Sequence, residues 1–369
     1  MLLVQKYGGS SVADVGKIRQ VAARVARSVA AGNQVVVVVS AMGNTTNELL
    51  ALARDVAQTP GRREIDMLIS VGERVSMALL AMALHEAGVP ARSFTGSQSG
   101  IITDEAHANA RVVEVRPDRL KASLAAGEVP IVAGFQGVSR SREVTTLGRG
   151  GSDTTAVVLA AALGADECEL CSDVDGVWSA DPRGVPGAVR LAELSLDEAL
   201  AMARNGARIL SEDAVAWAHR EGITLRASAT ANAGGGTLIR PTLPEPRVVG
   251  VVADVQLALV SAEAWATLEA PCIRAAGPWG AVVDCRNLHG APPGVPIATV
   301  AVVGTRCGAD PTRLVEVLAL AAACLGESPE RWWASADAVV LVVKTSDAPA
   351  LERHLHFSML GRAGISAAP

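Results

Sequence analysis

Arg149-Gly-Gly-Ser-Asp-Thr-Thr155 follows a hydrophobic strand predicted at Pro130 to Gly134 and precedes an Ala-rich helix predicted from Ala156 to Gly164. Backbone amides in a glycine-rich turn and at the start of a helix form an anion cradle. This turn adds a cation, hydroxyls and a carboxylate. A second turn is built the same way: Leu2 to Gln5 reads as a strand, Lys6-Tyr-Gly-Gly-Ser-Ser11 follows, and a helical pattern starts near Ala13. Two such turns after strands predict a layered α/β fold and argue for phosphoryl transfer to a charged small substrate.

The composition agrees. The chain has 369 residues, 50% hydrophobic and 19% charged, enough to bury a large core in two or three domains. Only 3% are aromatic, so the core is built from Ala, Val and Leu, which suits helices packed closely on a parallel sheet. A formal net charge of -5 without a Lys/Arg cluster provides no electrostatic footprint for nucleic acid or an anionic membrane. No apolar run is expected to approach the roughly 20 residues of a membrane span, and Gln5 and Lys6 interrupt any signal-peptide core. A cytoplasmic protein is the expectation. Cys168 and Cys171 fall in a predicted strand, Glu167 to Ser172, where residues three apart face opposite ways. That argues against a shared metal, and no metal-ligating protein site is expected.

From Met1 to about Ile239 short Val/Ile/Leu runs alternate with amphipathic segments, the pattern of a mainly parallel sheet. Val35 to Val39 reads as a strand buried on both faces, followed by the polar turn Ser40 to Thr46. Glu64 to Gly88 reads as one long helix ended by Gly88 and Pro90. Further strands are expected at Ala91 to Phe94 and Thr224 to Arg226. Three prolines between Arg240 and Arg247 mark a linker, so the expected domains are 1–240, a linker at 241–248, and 249–369. Beyond the linker, one strand-helix-strand pattern spans Val248 to Val283. A clearer one has strand at Ile297 to Val303, helix at Pro311 to Leu325, strand at Ala338 to Lys344 and helix at Ala348 to Phe357. This is the ferredoxin-like half-motif of a small regulatory or dimerisation module. Trp265, Trp279, Trp332 and Trp333 fall in this region and read as core packing or a contact surface. The histidines, His289 among them, read as ordinary structural residues.

Seven segments, taken in order, resemble aspartate kinases of the amino-acid kinase superfamily. They are Lys6-Tyr-Gly-Gly-Ser10, Val39-Ser-Ala-Met-Gly-Asn-Thr-Thr-Asn47, Gly72-Glu-Arg-Val-Ser76, Ser93-Phe-Thr-Gly-Ser-Gln98, Val132-Ala-Gly-Phe-Gln-Gly137, Leu147 to Thr155, and Ser172-Asp-Val-Asp-Gly-Val-Trp-Ser-Ala-Asp-Pro-Arg183. The resemblance implies a three-layer kinase domain with a C-terminal ferredoxin-like region of ACT type, its first unit shortened and its second at about 297–357. It implies ATP and Mg²⁺ as cofactors, L-aspartate as substrate, and a homo-oligomer joined as a dimer through the ACT-like region.

The resemblance also implies roles. Lys6 would neutralise the transferring phosphoryl group, with Gly8, Gly9 and Ser10 cradling the ATP phosphates. Asp153 would orient the lysine or the metal; read from the residues alone, it could equally cap the following helix. Arg149 would clamp the substrate α-carboxylate beside Gly150, Gly151 and Ser152. Glu73 would bind the substrate ammonium, and Ser40 and Thr45 would contact the substrate from their turn. Ser172, Asp173, Trp178, Asp181 and Arg183 would form the nucleotide site. Chemistry independent of the resemblance agrees, since a carboxylate nucleophile with a reference pKa of about 4 needs no general base, only positioning and cationic stabilisation.

The chain departs from the family pattern in two regions. Ile209 to Asp213 is acidic where relatives are basic, and Ser228 and Thr230 stand where basic side chains are common, which implies weaker ATP binding. Thr305-Arg-Cys-Gly-Ala-Asp-Pro311 replaces a glycine-rich effector loop, implying weak or absent feedback by lysine or threonine. The competing readings are a related kinase with another substrate and a non-catalytic regulatory partner of a true kinase.

Overall fold

The computed structural model describes residues 1–148, 150–207, 210–231, 235–242, 245–261, 263–264, 273–277, 279–286 and 294–361. Arg149, Trp265 and His289 lie outside the described residues. The chain forms two compact units, one of residues 1–177, 192–196 and 209–242, the other of 178–191, 197–208 and 243–369.

The first unit is α/β. Its elements are β1 (Leu2–Tyr7), α1 (Val15–Ala30), β2 (Gln34–Val39), α2 (Thr45–Val56), α3 (Arg62–Ile69), α4 (Val71–Glu86), β3 (Ala91–Phe94), β4 (Ile101–Thr103), β5 (Val112–Val115), α5 (Asp118–Ala125), β6 (Val129–Ala133), β7 (Gln136–Ser139), β8 (Val144–Thr146), α6 (Gly151–Leu163), β9 (Glu167–Ser172) and β10 (Glu193–Ser195). After α7 (Leu196–Arg204), whose first residue alone belongs to this unit, come α8 (Glu212–Glu221), β11 (Leu225–Ala229) and β12 (Thr237–Arg240). Eight strands pair in the order β10-β12-β11-β9-β1-β2-β6-β3. Every pairing is parallel except β11 with β12. The β-branched run of β2 is buried along its length after Gln34, as a strand covered on both faces requires. Tyr7, Val35, Val37, Val39 and Ile131 face α1 and α4 through Ile18, Val21, Met77 and Leu80. Side chains alternate along a strand, so Lys6 points the other way, toward the face against which α6 packs.

Two expectations need correction. The predicted helix over Glu64 to Gly88 is interrupted at Ser70, whose hydroxyl bonds back to the Met67 carbonyl and whose own carbonyl is taken by Gln136 Nε2 at 2.9 Å. Helical periodicity cannot register a break imposed by a side chain 66 residues away. The glycine turn at 148–151, in turn, does not lead directly from β6 into the helix. A four-stranded sheet, β5-β4-β7-β8, contributes the hairpin β7-β8 between them, and strands of three or four residues are too short to show alternation.

By length and composition Arg62–Glu86 is also apolar enough to cross a membrane, contrary to the expectation that no segment would be. Half of its apolar window is buried, and Asp66, Glu73 and Ser76 lie buried along it, the habit of a core helix.

The second unit is an antiparallel sheet of β13 (Val248–Val260), β14 (Ile273–Gly277), β15 (Gly280–Asp284), β16 (Val295–Gly304), β17 (Trp332–Ser335) and β18 (Ala338–Val343), in the order β14-β15-β13-β16-β18-β17. Val251, Val300, Val302, Val339 and Leu341 pack on α9 (Pro311–Leu325) and α10 (Ala348–Leu360) through Val317, Leu351 and Leu355. The strand-helix-strand-helix pattern from 297 onward is present, with β17 as an added edge strand. Between β13 and β14, the stretch where the earlier pattern expects a helix falls mostly outside the described residues. Within this unit Ser179 Oγ bonds His356 Nε2 at 2.8 Å, and its carbonyl accepts from the Val251 amide.

Candidate active site

The parallel strands β1, β2, β6 and β9 all end at one edge of the large sheet, and the turns that leave them hold most of the residues singled out above. Lys6, next to last in β1, meets Asp153 in the first turn of α6, with Nζ 2.6 Å from Oδ1 and both side chains about 15% exposed (14% and 16%). Asp153 therefore does not serve as a helix cap. Gly150 occupies that position, left-handed at φ 73°, where any side chain would strike Ser211.

Gly8 sits under the lysine, its missing Cβ 3.6 Å from Lys6 Nζ. The expected use of its amide is corrected: Gly8 N–H donates to the Cys171 carbonyl at 3.2 Å, so it serves to join the turn to β9 rather than to hold a phosphate. Gly9 and Ser10 begin a short 3₁₀ turn, Gly9–Val12, whose first amides have no partner within that turn. A Cβ on Gly9 would lie 3.0 Å from the Ala41 carbonyl, and Gly9 O accepts from Gly43 N at 3.1 Å. The first turn is thus pressed against the second, Ser40 to Gly43, and Ser40 N–H donates to Tyr7 O.

That second turn leads to Glu73. Gly72 allows α4 to come against Ala41, where a Cβ would stand 2.7 Å from the Ala41 methyl. Glu73, 3% exposed, accepts from Ala41 N–H on Oε1 at 3.1 Å. Its Oε2 is buried without a partner. Burial pushes the carboxyl up to about 7 against the pull of those amides. Thr45 donates its hydroxyl to Met42 O at 2.7 Å, as a turn residue does, which leaves its oxygen able to accept.

On the far side, Ser152 lies over the end of β6. A Cβ on Gly134 would meet Ser152 Oγ at 2.8 Å and Val39 O at 3.0 Å. Thr155 braces the start of α6, donating to Gly151 O at 2.8 Å while accepting from Phe135 N–H at 3.1 Å. Ser172 closes β9, its hydroxyl turned to Val174, and Asp173 is exposed beside it. Lys6, Gly8, Gly9, Ser40, Thr45, Glu73, Ser152, Asp153 and Ser172 thus belong to the carboxyl edge of one sheet. Trp178, Asp181 and Arg183 belong to the second unit, where Arg183, 84% exposed, is folded onto Asp181 at 2.7 Å.

Sequence reasoning missed the supports beneath these turns. Asp66, fully buried, accepts from Thr146 Oγ1 at 2.5 Å, from Ala108 N–H at 3.1 Å and bonds His107 Nδ1 at 2.7 Å. It holds Ala108 at φ 69° beside the Gly148 turn, against which Asn109 rests. Below the other turn, Arg24, Glu169, Gln5 and Ser228 form a buried polar cluster. Only a charged residue on an otherwise apolar helix face hinted at either.

No group of three or more His, Cys, Asp or Glu side chains suited to a metal occurs among the described residues.

Comparison with known proteins gives a consistent answer. An aspartokinase of Mycolicibacterium smegmatis is 53% identical over 245 residues, 66% of this chain and 58% of that one. The chain thus spans a little under two thirds of the curated relatives it matches. An aspartate kinase structure from Synechocystis has a TM-score of 0.61 at 33% identity, covering all of this chain and 70% of the other. E. coli aspartokinase III in complex with aspartate and ADP superposes with a TM-score of 0.82 at 23% identity, over 98% and 100% of the two chains, a likeness of fold. The model of the amino acid kinase family matches residues 1–226, which include both glycine turns and the Lys6–Asp153 pair, and the chain belongs to that family.

Proposed function

We propose that the chain transfers the γ-phosphoryl group of ATP to the β-carboxylate of L-aspartate, giving 4-phospho-L-aspartate and ADP, as a cytoplasmic step of amino-acid biosynthesis. One observation carries the reading. Lys6 lies against Gly8, Gly9 against Ala41, and Ala41 against Glu73, so the cation and the unsatisfied carboxylate end a single run of touching residues. Aspartate carries both an ammonium for Glu73 and a carboxylate that can act as nucleophile.

A carboxylate oxygen forms the new bond to phosphorus while the bond to the bridging oxygen of ADP breaks, and no proton has to move. The chain's task is to bring anions together. Lys6 lowers the charge on the transferring group, and Asp153 holds the lysine aimed. Ser10 and Gly150 supply amides at the two turns, Gly151, whose own N–H donates to the Gly148 carbonyl at 3.1 Å, shapes the second turn, Ser40, Thr45 and Ser152 offer hydroxyls, and Arg149 is assigned to the substrate α-carboxylate by resemblance. Ser172 and Asp173 border the nucleotide in this reading; Trp178, Asp181 and Arg183 keep that assignment by resemblance alone. Mg²⁺, when bound with ATP, would neutralise the polyphosphate, with Asp153 the nearest carboxylate to Lys6 to meet it. The second unit is assigned to dimerisation.

Trapping the acyl phosphate with hydroxylamine tests the proposal. Product should require both Mg·ATP and aspartate and fall at least about a hundredfold in Lys6→Met. Wild-type protein that forms no hydroxamate would end it.

A further inference from the structure

Ser11 and Thr230 are 219 residues apart, yet their hydroxyl oxygens lie 2.6 Å apart at the carboxyl edge of the large sheet. The direction of that bond follows from proton counting. Thr230 has one hydroxyl proton, and it is directed to the Ser172 carbonyl at 3.0 Å. Ser11 must therefore be the donor, with Thr230 its acceptor. Ser11 also donates its backbone N–H to Gly8 O at 2.9 Å, closing the turn that begins at Lys6.

Thr230 is itself held firmly. Its N–H reaches Ser172 O at 2.8 Å, and its carbonyl accepts from Arg24 Nη1 at 2.9 Å, as the Ala229 carbonyl does at 2.7 Å. Arg24 is 5% exposed and anchored by Glu169 at 2.5 Å, and Glu169 takes further bonds from Gln5 Nε2 and Ser228 Oγ. A cluster buried beneath β1, β9 and β11 thus reaches the turn through one hydroxyl pair. Such a cluster, with its groups mutually satisfied, is rigid.

We infer that Thr230 is a positioning residue for the nucleotide: through Ser11 it fixes the Gly8–Ser11 turn, and with it the phosphate contacts made beside Lys6. The inference rests on the proposed reaction. It concerns the nucleotide half of the site, because neither Thr230 nor Ser11 touches Ala41 or Glu73 in any hydrogen bond of the structure.

The test is steady-state kinetics with both substrates varied, together with ADP titration by calorimetry and thermal melts. Thr230→Val and Ser11→Ala should each raise the KM for Mg·ATP and the Kd for ADP about three- to tenfold, the effect of one hydrogen bond. The KM for aspartate should stay within about twofold. The double variant should be no worse than Thr230→Val alone, since that substitution already removes the bond lost in Ser11→Ala, and Thr230→Ser should restore wild-type values. Unchanged nucleotide constants in Thr230→Val, or a matching rise for both substrates that Thr230→Ser does not rescue, would overturn the inference while leaving the reaction intact. A wild-type protein that binds no ADP would bring down the functional proposal and this inference with it.

Discussion

Glu73 and Asp66 are buried carboxylates seven residues apart on consecutive helices, α4 and α3, and they face opposite fates. The partners of Asp66 are donors already in place: Thr146, Ala108 and His107 satisfy it from two other segments. Glu73 has Ala41 on one oxygen and a buried, unsatisfied lone-pair site on the other. A saturated carboxylate is a structural brace. One with a buried orphan oxygen bears a desolvation cost that protonation or an incoming donor relieves, and a substrate ammonium is such a donor.

The widest separation between the two should come from Glu73→Gln. The amide keeps the Ala41 bond but sets an N–H where the orphan oxygen lay, so kcat/KM for aspartate should drop by about 10²–10³ while the protein stays folded. Asp66→Ala should do the reverse. With three donors abandoned in the interior, the loss should be about 3 kcal/mol of stability, seen as a lower melting temperature before any specific effect on aspartate KM.

The pH dependence sharpens the contrast. Because burial raises Glu73 to about 7, its neutral form favours the folded state fully below the ordinary carboxylate value, and that contribution fades as pH climbs toward 7. Ammonium binding needs the ionised form and so runs oppositely. The Kd for aspartate should worsen by nearly tenfold per unit below pH 7, and Glu73→Gln should flatten both profiles. If the aspartate Kd is level from pH 5.5 to 8, Glu73 is not the ammonium ligand. The smallest effect belongs to Asp181, a carboxylate whose pair with Arg183 is exposed: Arg183→Ala should move the melting temperature by less than about 1 °C.

Much of this was legible in the chain because local rules were enough. Val35 to Val39 could only be a doubly covered strand, and Lys6, Glu73 and Asp153 stood out as candidates because each lies in a short motif beside a glycine that a turn or a close approach requires. Asp66 and Arg24 escaped, and Thr230 was marked only as a departure from the family pattern, because their partners lie 41 to 219 residues away and no motif joins them. Gly8 was misread for a related reason. A glycine turn signals freedom of the backbone, but whether its amide is free depends on the strand that comes to lie beside it, here β9.

The strands β1, β2, β3, β6, β9 and β11, the two glycine turns and the charged residues they carry were set by the sequence alone, since turn geometry and side-chain periodicity act over a few residues. Only the tertiary structure decided that Asp153 would hold Lys6 rather than cap its helix, that Ser70 would break a long helix, and that one oxygen of Glu73 would be left bare. Those outcomes depend on which groups lose water together, and that is determined when distant segments close over one another.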